Sequence, residues 1–567
     1  MRILKLFKDL IESYYLDGYL VPKNDEYFNE YSNPNRLYSI SNFSGSAGIA
    51  MILKKKNYLF VDGRYKIQAE KESGGNFKIL EISKKDPKYV LKSFTNKINL
   101  GIDPKLFTNF YLKKNIAPYC NIIPVKENLV DKIIQKKINY VSKPFYTLSK
   151  KISGENKNNK ITKLIQNLKI KKVDNIFISA PENVAWLLNI RGFDNPNSPI
   201  PNCQLILNQK REIYLLTDKK KFKKIKNQKN YENIKLFNTN ELLKILLNLK
   251  GKSISIDRST CSSFNEQIIS KLFFIKSNLD PCYKFKSIKN KIEINNMIKA
   301  HIEDGIALTK FIYWMKNNRK QLDELNVKKK INFFRNKNKN YLFPSFSPII
   351  GSGPNGAIVH YNVNKNTNRK IRNDDLLLFD TGGQYKFGTT DVTRTICFKK
   401  PSKGIKNVFT RVLKGHISVA LANLNKFKTG KLLDKIARKY LNEVNLDYEH
   451  GTGHGVGHFL NVHEGPQSLS KYNIVPLEEG MILSNEPGFY KKNKYGIRIE
   501  NLLVILKNKN KKFFKNLTLV PIDFDLINFQ LLNNNEKIYL KNYHKDIYKN
   551  LSPYLNKNER IWLKSLI

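Results

Sequence analysis

The spacing of apolar positions changes period several times along the chain. Leu4, Phe7, Ile11 and Tyr14 recur three or four residues apart, with Lys5, Lys8, Asp9 and Glu12 between them, which predicts an amphipathic helix over 4–14. Short apolar runs at 19–22, 46–53 and 58–62 predict buried strands, the last two joined by a turn at 54–57, with a helix from Tyr65. A similar order recurs after about residue 145: a helix over 162–168, a strand over 175–179, a helix over 181–189, and hairpin strands over 203–207 and 212–216. DGYLVPKNDEYFNEY (17–31) is echoed by DNIFISAPENVAWLL (174–188), a weak internal repeat of one α/β domain type. Near residue 285 the register changes. A long helix from Glu293 carries Met297, Ile298, Ile302, Ile306, Thr309 and Ile312 on one face. Helices over 405–421 and 432–444 follow, with strands and Gly-rich turns between and after them. Beyond Leu506 a Lys/Asn-rich bridge leads to a mainly helical end, LSPYLNKNERIWLKSLI. The expected fold is α+β: α/β domains over 1–142 and 143–285, an α+β body over 286–507, and a small helical C-terminal extension over 508–567.

Composition narrows this picture. At about 100–200 residues per domain, 567 residues suggest about three or four domains. A hydrophobic fraction of 41% excludes a wholly disordered chain. No apolar run approaches the ~20 residues a bilayer span needs, and the charged first helix is not a signal peptide. The expectation is a soluble, cytoplasmic protein with no membrane partner. The net charge of +52 comes mostly from Lys spread along the chain, together with heavy use of Asn, Ile, Phe and Tyr, all residues with A/T-rich codons. It therefore reads as codon bias, and a run such as 219–229 as solvated surface; no specific nucleic-acid partner is expected. Five widely spaced cysteines, none in a CxxC pair, form neither a disulfide framework nor a thiolate metal site.

Candidate chemistry concentrates in one region. Four of the eight histidines, His450, His454, His458 and His463, fall within HGTGHGVGHFLNVHE, where the intervening glycines let the backbone turn tightly and bring imidazoles towards a common centre. Asp380 ends the apolar strand LLLFD, and Asp391 opens DVTRTICF. With a hairpin tip at Tyr385–Lys386 the two aspartates lie directly opposite each other, and like charges so placed call for a cation. Glu486 closes another apolar strand, and in GIRIEN Arg498 and Glu500 share one face while Ile497 and Ile499 share the other. Exposed turn aspartates, or a glutamate neutralised by a nearby Arg or Lys, are the plainer alternatives. Taken together, four carboxylates and an imidazole suit Mn²⁺, or else Co²⁺, Fe²⁺ or Zn²⁺, and that many carboxylates suit two ions. No HExxH is present, because His463-Glu464 continues as GPQ. GSGPNG (351–356) fits GxGxxG but leads into AIVHY, which reads as strand, so a dinucleotide site is set aside. His301, His416 and His544 read as core residues.

These motifs carry a resemblance. SGPNGAIVHY, LLLFDTGG, TTDVTRT, HGTGHGVGHFLNVHEGP, LSNEPGFY and GIRIEN resemble the motif series of the pita-bread dinuclear metallopeptidases, and among them the Xaa-Pro aminopeptidases of the aminopeptidase P family. SNFSGSAGIAMIL with LFVDGRY, ENVAWLLNIRG, and the C-terminal YLKNYHKDI with WLK resemble its three-domain, cytosolic-type branch. The resemblance implies two creatinase/prolidase-like N-terminal domains and a pita-bread catalytic domain. It implies Asp380, Asp391, His454, Glu486 and Glu500 as ligands of two divalent ions, with Mn²⁺ foremost. His360, His450 and His463 match the substrate-handling histidines; His458 matches no catalytic position. The implied reaction releases the N-terminal residue from peptides with proline second, by attack of a hydroxide bridging the two ions, with Glu486 also shuttling a proton. The implied assembly is a homodimer. The rivals are a prolidase restricted to Xaa-Pro dipeptides and a catalytically silent pita-bread module binding peptides or nucleic acid.

Overall fold

In a computed structural model, which describes residues 2–31, 34–134, 143–318 and 322–567, the chain divides into two units. One comprises Met1–Lys150 with Glu155–Tyr283, the other Lys151–Gly154 with Lys284–Ile567. The first expected domain boundary, at residue 142, lies outside the described residues. Among the described residues no helix is long and apolar enough to cross a membrane.

The first unit holds two six-stranded sheets. The strands of one are β1 (Gly18–Pro22), β2 (Ile49–Leu53), β3 (Asn57–Val61), β4 (Lys78–Glu81), β5 (Asn99–Ile102) and β6 (Asn121–Pro124), in the order β4-β3-β2-β1-β5-β6. The other contains β7 (Asn175–Ile178), β8 (Cys203–Asn208), β9 (Ile213–Thr217), β10 (Ile234–Phe237), β11 (Ser253–Ile256) and β12 (Phe274–Ser277), in the order β10-β9-β8-β7-β11-β12. The two orders are the same when each set is counted along its own segment. The senses also match: the first three strands of each sheet pair antiparallel, and the remaining neighbours pair parallel. The echo between 17–31 and 174–188 thus marks a duplicated topology, with β1 and β7 as equivalent first strands. Alternation explains why these strands read as unbroken apolar runs. Tyr19, Val21, Ala50, Ile52, Leu59 and Val61 join one buried cluster, while Leu20, Met51, Phe60 and Leu100 join another. Each sheet face is covered, so both sets of alternate residues are apolar.

In the second unit a five-stranded sheet lies between helices. Its strands are β16 (Gly453–Gly455), β17 (Glu464–Leu469), β18 (Ile482–Asn485), β21 (Asn501–Asn508) and β22 (Lys511–Asn516), in the order β17-β16-β18-β21-β22. Ile482, Leu502 and Val504 pack with Met297 of the helix Lys291–Asn317. Leu483, Leu503 and Ile505 pack on the other side with Val419 of helix Lys403–Ala420 and with Leu433 and Ala437 of helix Gly430–Asn442. A three-stranded sheet joins β13 (Ile349–Ser352), β14 (Leu376–Thr381) and β15 (Val392–Cys397), and a two-stranded ribbon joins β19 (Gly488–Lys491) and β20 (Tyr495–Arg498). The long helix starts where Asn290 and Glu293 form a capping box.

Two sequence expectations need correction here. AIVHY is not a strand: Gly353–Ala357 is a short 3₁₀ helix, and a turn follows it. The cause is distant in sequence. The buried Glu324 carboxylate accepts from the Ser352 N–H, Asn355 Nδ2, the Tyr361 hydroxyl and the Arg369 N–H, and this folds the segment around a single point. Likewise the Lys/Asn-rich bridge after Leu506 is a hairpin joining β21 to β22.

The C-terminal segment completes the core. Leu540, Tyr543, Ile547, Leu551, Leu555 and Leu563 are buried in one cluster with Phe409, Leu413, Ile497 and Ile499. Fully burying such side chains contributes about 1.5–3 kcal/mol each, so together they rival the ~5–15 kcal/mol net stability of a typical domain. Deleting residues 530–567 is therefore expected to yield insoluble or molten protein, read as lost near-UV circular dichroism. A soluble truncation with native near-UV signal contradicts this.

Candidate metal centre

Asp380 and Asp391 are brought together by the β14–β15 hairpin, in a register different from the expected one. Asp380 faces Thr393, and the inner rungs pair Gln384 with Thr389 and Tyr385 with Gly388. The tip is therefore Lys386 and Phe387, and Asp391 sits diagonally from Asp380 instead of opposite it. The slip amounts to two residues, so the period of two keeps both carboxylates on one face. Docking on the long helix sets the tip: a Cβ on Gly388 would lie 2.7 Å from the Cβ of Ala300. Asp304 anchors the hairpin near its tip, accepting from Arg335 Nε at 2.7 Å and from the Tyr385 and Thr390 hydroxyls at 2.8 Å.

The glycines around His454 allow close packing, not tight turning. A Cβ on Gly453 would lie 1.9 Å from the Ser484 carbonyl oxygen, and one on Gly455 would lie 2.3 Å from that of Glu464. Their absence lets β16 sit tightly against β17 and β18, and so places the His454 ring beside Glu486 at the end of β18. His454 Nδ1 lies 2.9 Å from the Gly455 carbonyl oxygen. It therefore carries the proton, and Nε2 faces Asp391 Oδ2 at 3.4 Å and Glu486 Oε1 at 3.5 Å. Donor atoms of Asp391, His454 and Glu500 all lie within 4.8 Å of one another. Glu500 Oε2 accepts from the Thr393 hydroxyl at 2.8 Å, and Glu486 Oε1 accepts from the Ser484 hydroxyl at 3.1 Å.

Electrostatically this cluster is short of positive charge. Burial, with Asp391 and Glu486 close by, pushes Asp380 up to about 7 even though Arg498 pulls the other way. Burial and the neighbouring carboxylates also raise Glu486 and lift Glu500 well above the ordinary range. Burial alone would lower His454, but Asp391 and Glu486 outweigh it and push the imidazole up to about 9. Asp380 Oδ1 is buried without a hydrogen-bond partner. Crowded carboxylates, an orphaned oxygen and an imidazole nitrogen aimed at them make a donor set suited to hard or borderline divalent cations. The residues present fit such ions.

The four clustered histidines separate. His463 stacks edge-on against His454, with ring centroids 4.3 Å apart. His450 Nε2 is 2.8 Å from the Tyr490 hydroxyl, which Arg498 Nη1 also reaches at 2.5 Å. Arg498 Nη2 in turn donates to Asp380 Oδ2 at 2.6 Å and to the Val359 carbonyl at 3.3 Å, next to the half-buried His360. Arg498 thus pairs with Asp380, 118 residues away, and not with Glu500 beside it. Tyr490 and Arg498 are members of the site that the sequence did not reveal; the only hint was that Arg498 shares a strand face with Glu500. Arg438 also fixes the site, donating from Nη2 to the His450 carbonyl at 2.6 Å. His458 lies elsewhere, with Nε2 3.0 Å from the Phe387 carbonyl oxygen. His301, His416 and His544 are buried core residues, each with Nδ1 close to a backbone carbonyl.

The GSGPNG glycines serve the loop's own packing. Gly351 meets Gly356 at 2.7 Å from a would-be Cβ, and Gly353 adopts φ +51°.

Comparison with known families agrees with this geometry. Residues 295–507 match metallopeptidase family M24, and 513–566 match the C-terminal region of that peptidase family. Residues 2–133 and 137–293 each match a creatinase/prolidase N-terminal domain. Xaa-Pro aminopeptidase 1 of Dictyostelium discoideum is 35% identical, over 97% of this chain and 94% of that protein. The crystal structure of X-prolyl aminopeptidase from Caenorhabditis elegans, described as a cytosolic enzyme with a di-nuclear active site, superposes with a TM-score of 0.91 at 29% identity. It covers 100% of this chain and 98% of that one. Prolidase from Pyrococcus horikoshii is similar over 64% of this chain and 99% of its own, with a TM-score of 0.54 at 26% identity. With two creatinase-type domains ahead of an M24 body, and relatives matched over nearly their full length, this chain belongs to the Xaa-Pro aminopeptidase P family of metallopeptidases.

Proposed function

We propose that this protein removes the N-terminal residue from peptides whose second residue is proline, using two divalent cations, Mn²⁺ foremost, held by Asp380, Asp391, His454, Glu486 and Glu500. The observation that carries the reading is the convergence of Asp391 and Glu486 on His454 Nε2, with Glu500 in the same cluster of donor atoms. When bound, the cations supply Lewis acidity at the scissile carbonyl and at water.

The rest of the chemistry falls to the chain. Glu486, raised by burial, can hold and release a proton at a carboxylate oxygen within the cluster. His463, stacked on His454, and His360, beside the carbonyl that Arg498 holds, are assigned to hydrogen-bond the substrate carbonyl as it becomes an oxyanion. His450 is oriented by Tyr490 and by Arg438 for substrate handling. The bond before proline has no N–H, so a site built for it offers no acceptor there.

The full-length likeness to an X-prolyl aminopeptidase, against a partial likeness to prolidase, supports an aminopeptidase over a dipeptidase. The domain assignment 1–142, 143–285, 286–507 and 508–567, a cytoplasmic location and a homodimer belong to the same proposal. The test is a panel of Arg-Pro-Pro, Arg-Ala-Pro and Arg-Pro with Mn²⁺-loaded protein. Arg is expected to be released from the first. With Ala second, a new N–H lacks its acceptor at a cost of about 1–3 kcal/mol, or about 10–100-fold in kcat/KM. Activity confined to the dipeptide makes the protein a prolidase, and equal rates on both tripeptides remove the proline requirement.

A further inference from the structure

His458 is the one histidine of the HGTGHGVGHFLNVHE segment that joins neither the carboxylate cluster nor the Tyr490–Arg498 chain. Its ring is only 4% exposed. Nε2 lies 3.0 Å from the Phe387 carbonyl oxygen, and Nδ1 lies 3.6 Å from Glu293 Oε1. Both neighbours matter for where the ligands stand. Phe387 is half of the two-residue tip of the hairpin that presents Asp380 and Asp391. Glu293 is in the first turn of helix Lys291–Asn317, with its other oxygen committed to the Asn290 N–H of the capping box. His458 itself lies four residues beyond His454. A single ring therefore touches the hairpin carrying two carboxylates and the helix beneath it, from the segment carrying the imidazole ligand.

Other contacts gather at the same place. Gln384 Nε2 donates to the Leu460 carbonyl at 2.8 Å, the Thr389 hydroxyl donates to Gln384 Oε1 at 2.8 Å, and the Thr389 N–H points at the Met297 sulfur at 3.4 Å. Next to His458, Phe459 holds φ at +50°, in the left-handed region that a bulky side chain disfavours. The turn is thus imposed by its surroundings and not by local preference.

We infer that His458 is a positioning residue: by donating to the Phe387 carbonyl and facing Glu293, it fixes the distance between the hairpin that supplies Asp391 and the segment that supplies His454, and so sets metal affinity. The chemistry requires a donor: a carbonyl oxygen only accepts, so the ring nitrogen 3.0 Å from it must present an N–H. This role rests on the metal-site reading above, and it extends the site's support to a residue that touches neither ion nor substrate.

The test separates donation from packing. His458→Phe keeps a ring and removes every donor; His458→Gln removes the ring and keeps an N–H within reach of the carbonyl. Metal-free protein is titrated with Mn²⁺ by calorimetry, alongside circular dichroism of the metal-free state. The expected result is an affinity loss of about tenfold or more for His458→Phe, in the range that outer-sphere partners of metal ligands command. His458→Gln should restore most of it, and KM for Arg-Pro-Pro should be unchanged in both at saturating Mn²⁺. Wild-type affinity in His458→Phe, or a loss in His458→Gln as large as that in His458→Phe, overturns the inference. If His458→Phe does not fold, His458→Ala is read in its place by the same criterion. Wild-type protein that takes up no Mn²⁺ overturns the metal-site reading itself, a distinct outcome.

Discussion

Asp391→Asn should empty the site and cost more than ~100-fold in kcat/KM, while leaving the metal-free protein at least as stable as wild type. The lower bound follows from outer-sphere partners, whose loss already costs about 10–100-fold in metal affinity or activity; a ligand common to the cluster should exceed that. The opposite sign in the metal-free state follows from the geometry. Asp391 is 3% exposed; against one favourable partner, His454 Nε2 at 3.4 Å, it faces three carboxylates, and its charge is among the causes that raise Asp380, Glu486 and Glu500. Replacing that carboxylate with an uncharged isostere relieves like-charge crowding when no cation is there to relieve it. With metal present the balance reverses, because any species that binds only the folded state stabilises it by mass action, about 2.7 kcal/mol at a hundredfold excess over Kd. Wild-type protein should therefore lose thermal stability on chelation, and Asp391→Asn should not. Metal content by mass spectrometry and paired melting curves check both halves. Full activity of wild-type protein after exhaustive chelation would sink the metal reading.

Much of this cluster was legible in the sequence because three of its carboxylates close apolar strands, and strand ends are read from local pattern. LLLFD, ILSNE and GIRIE each announce a buried strand with a carboxylate where burial should forbid one. What the sequence hid was decided at long range. The hairpin tip moved to Lys386 and Phe387 because Gly388 must lie flat on Ala300, a contact no local turn rule contains. AIVHY has the β-branched residues of a strand, yet Glu324 draws its neighbourhood into a 3₁₀ turn. The glycines near His454 looked like flexible turn residues and are instead points where strands nearly touch. Lys511–Asn516 read as linker because an edge strand with mostly solvent-facing residues can be built from lysine; there only Phe514 is buried. Arg498 illustrates the limit most clearly. Its alternation with Ile497 and Ile499 was visible, but its partner, Asp380, could only be found in three dimensions.

His463→Ala, in contrast to the aspartate, should keep its metal and lose turnover. The two stacked imidazoles are told apart by their surroundings. His454 has its Nδ1 proton spent on the Gly455 carbonyl and its Nε2 turned to Asp391 and Glu486, as a ligand requires. His463 stands edge-on to that ring, centroid to centroid 4.3 Å, and under the proposed function it donates to the substrate carbonyl. Removing a donor that meets developing oxyanion charge costs roughly 10²–10³ in kcat, and it does so without disturbing ligands that are anchored independently. His360→Ala should behave the same way, since its turn is held through the Val359 carbonyl by Arg498 and through Tyr361 by Glu324. Steady-state kinetics on Mn²⁺-saturated variants, with metal stoichiometry measured on the same samples, make the comparison. Each variant is expected to bind as much metal as wild type, with kcat down by about two to three orders of magnitude and KM changed far less. Metal loss in His463→Ala equal to that in Asp391→Asn would mean that His463 and not only His454 belongs to the ligand set.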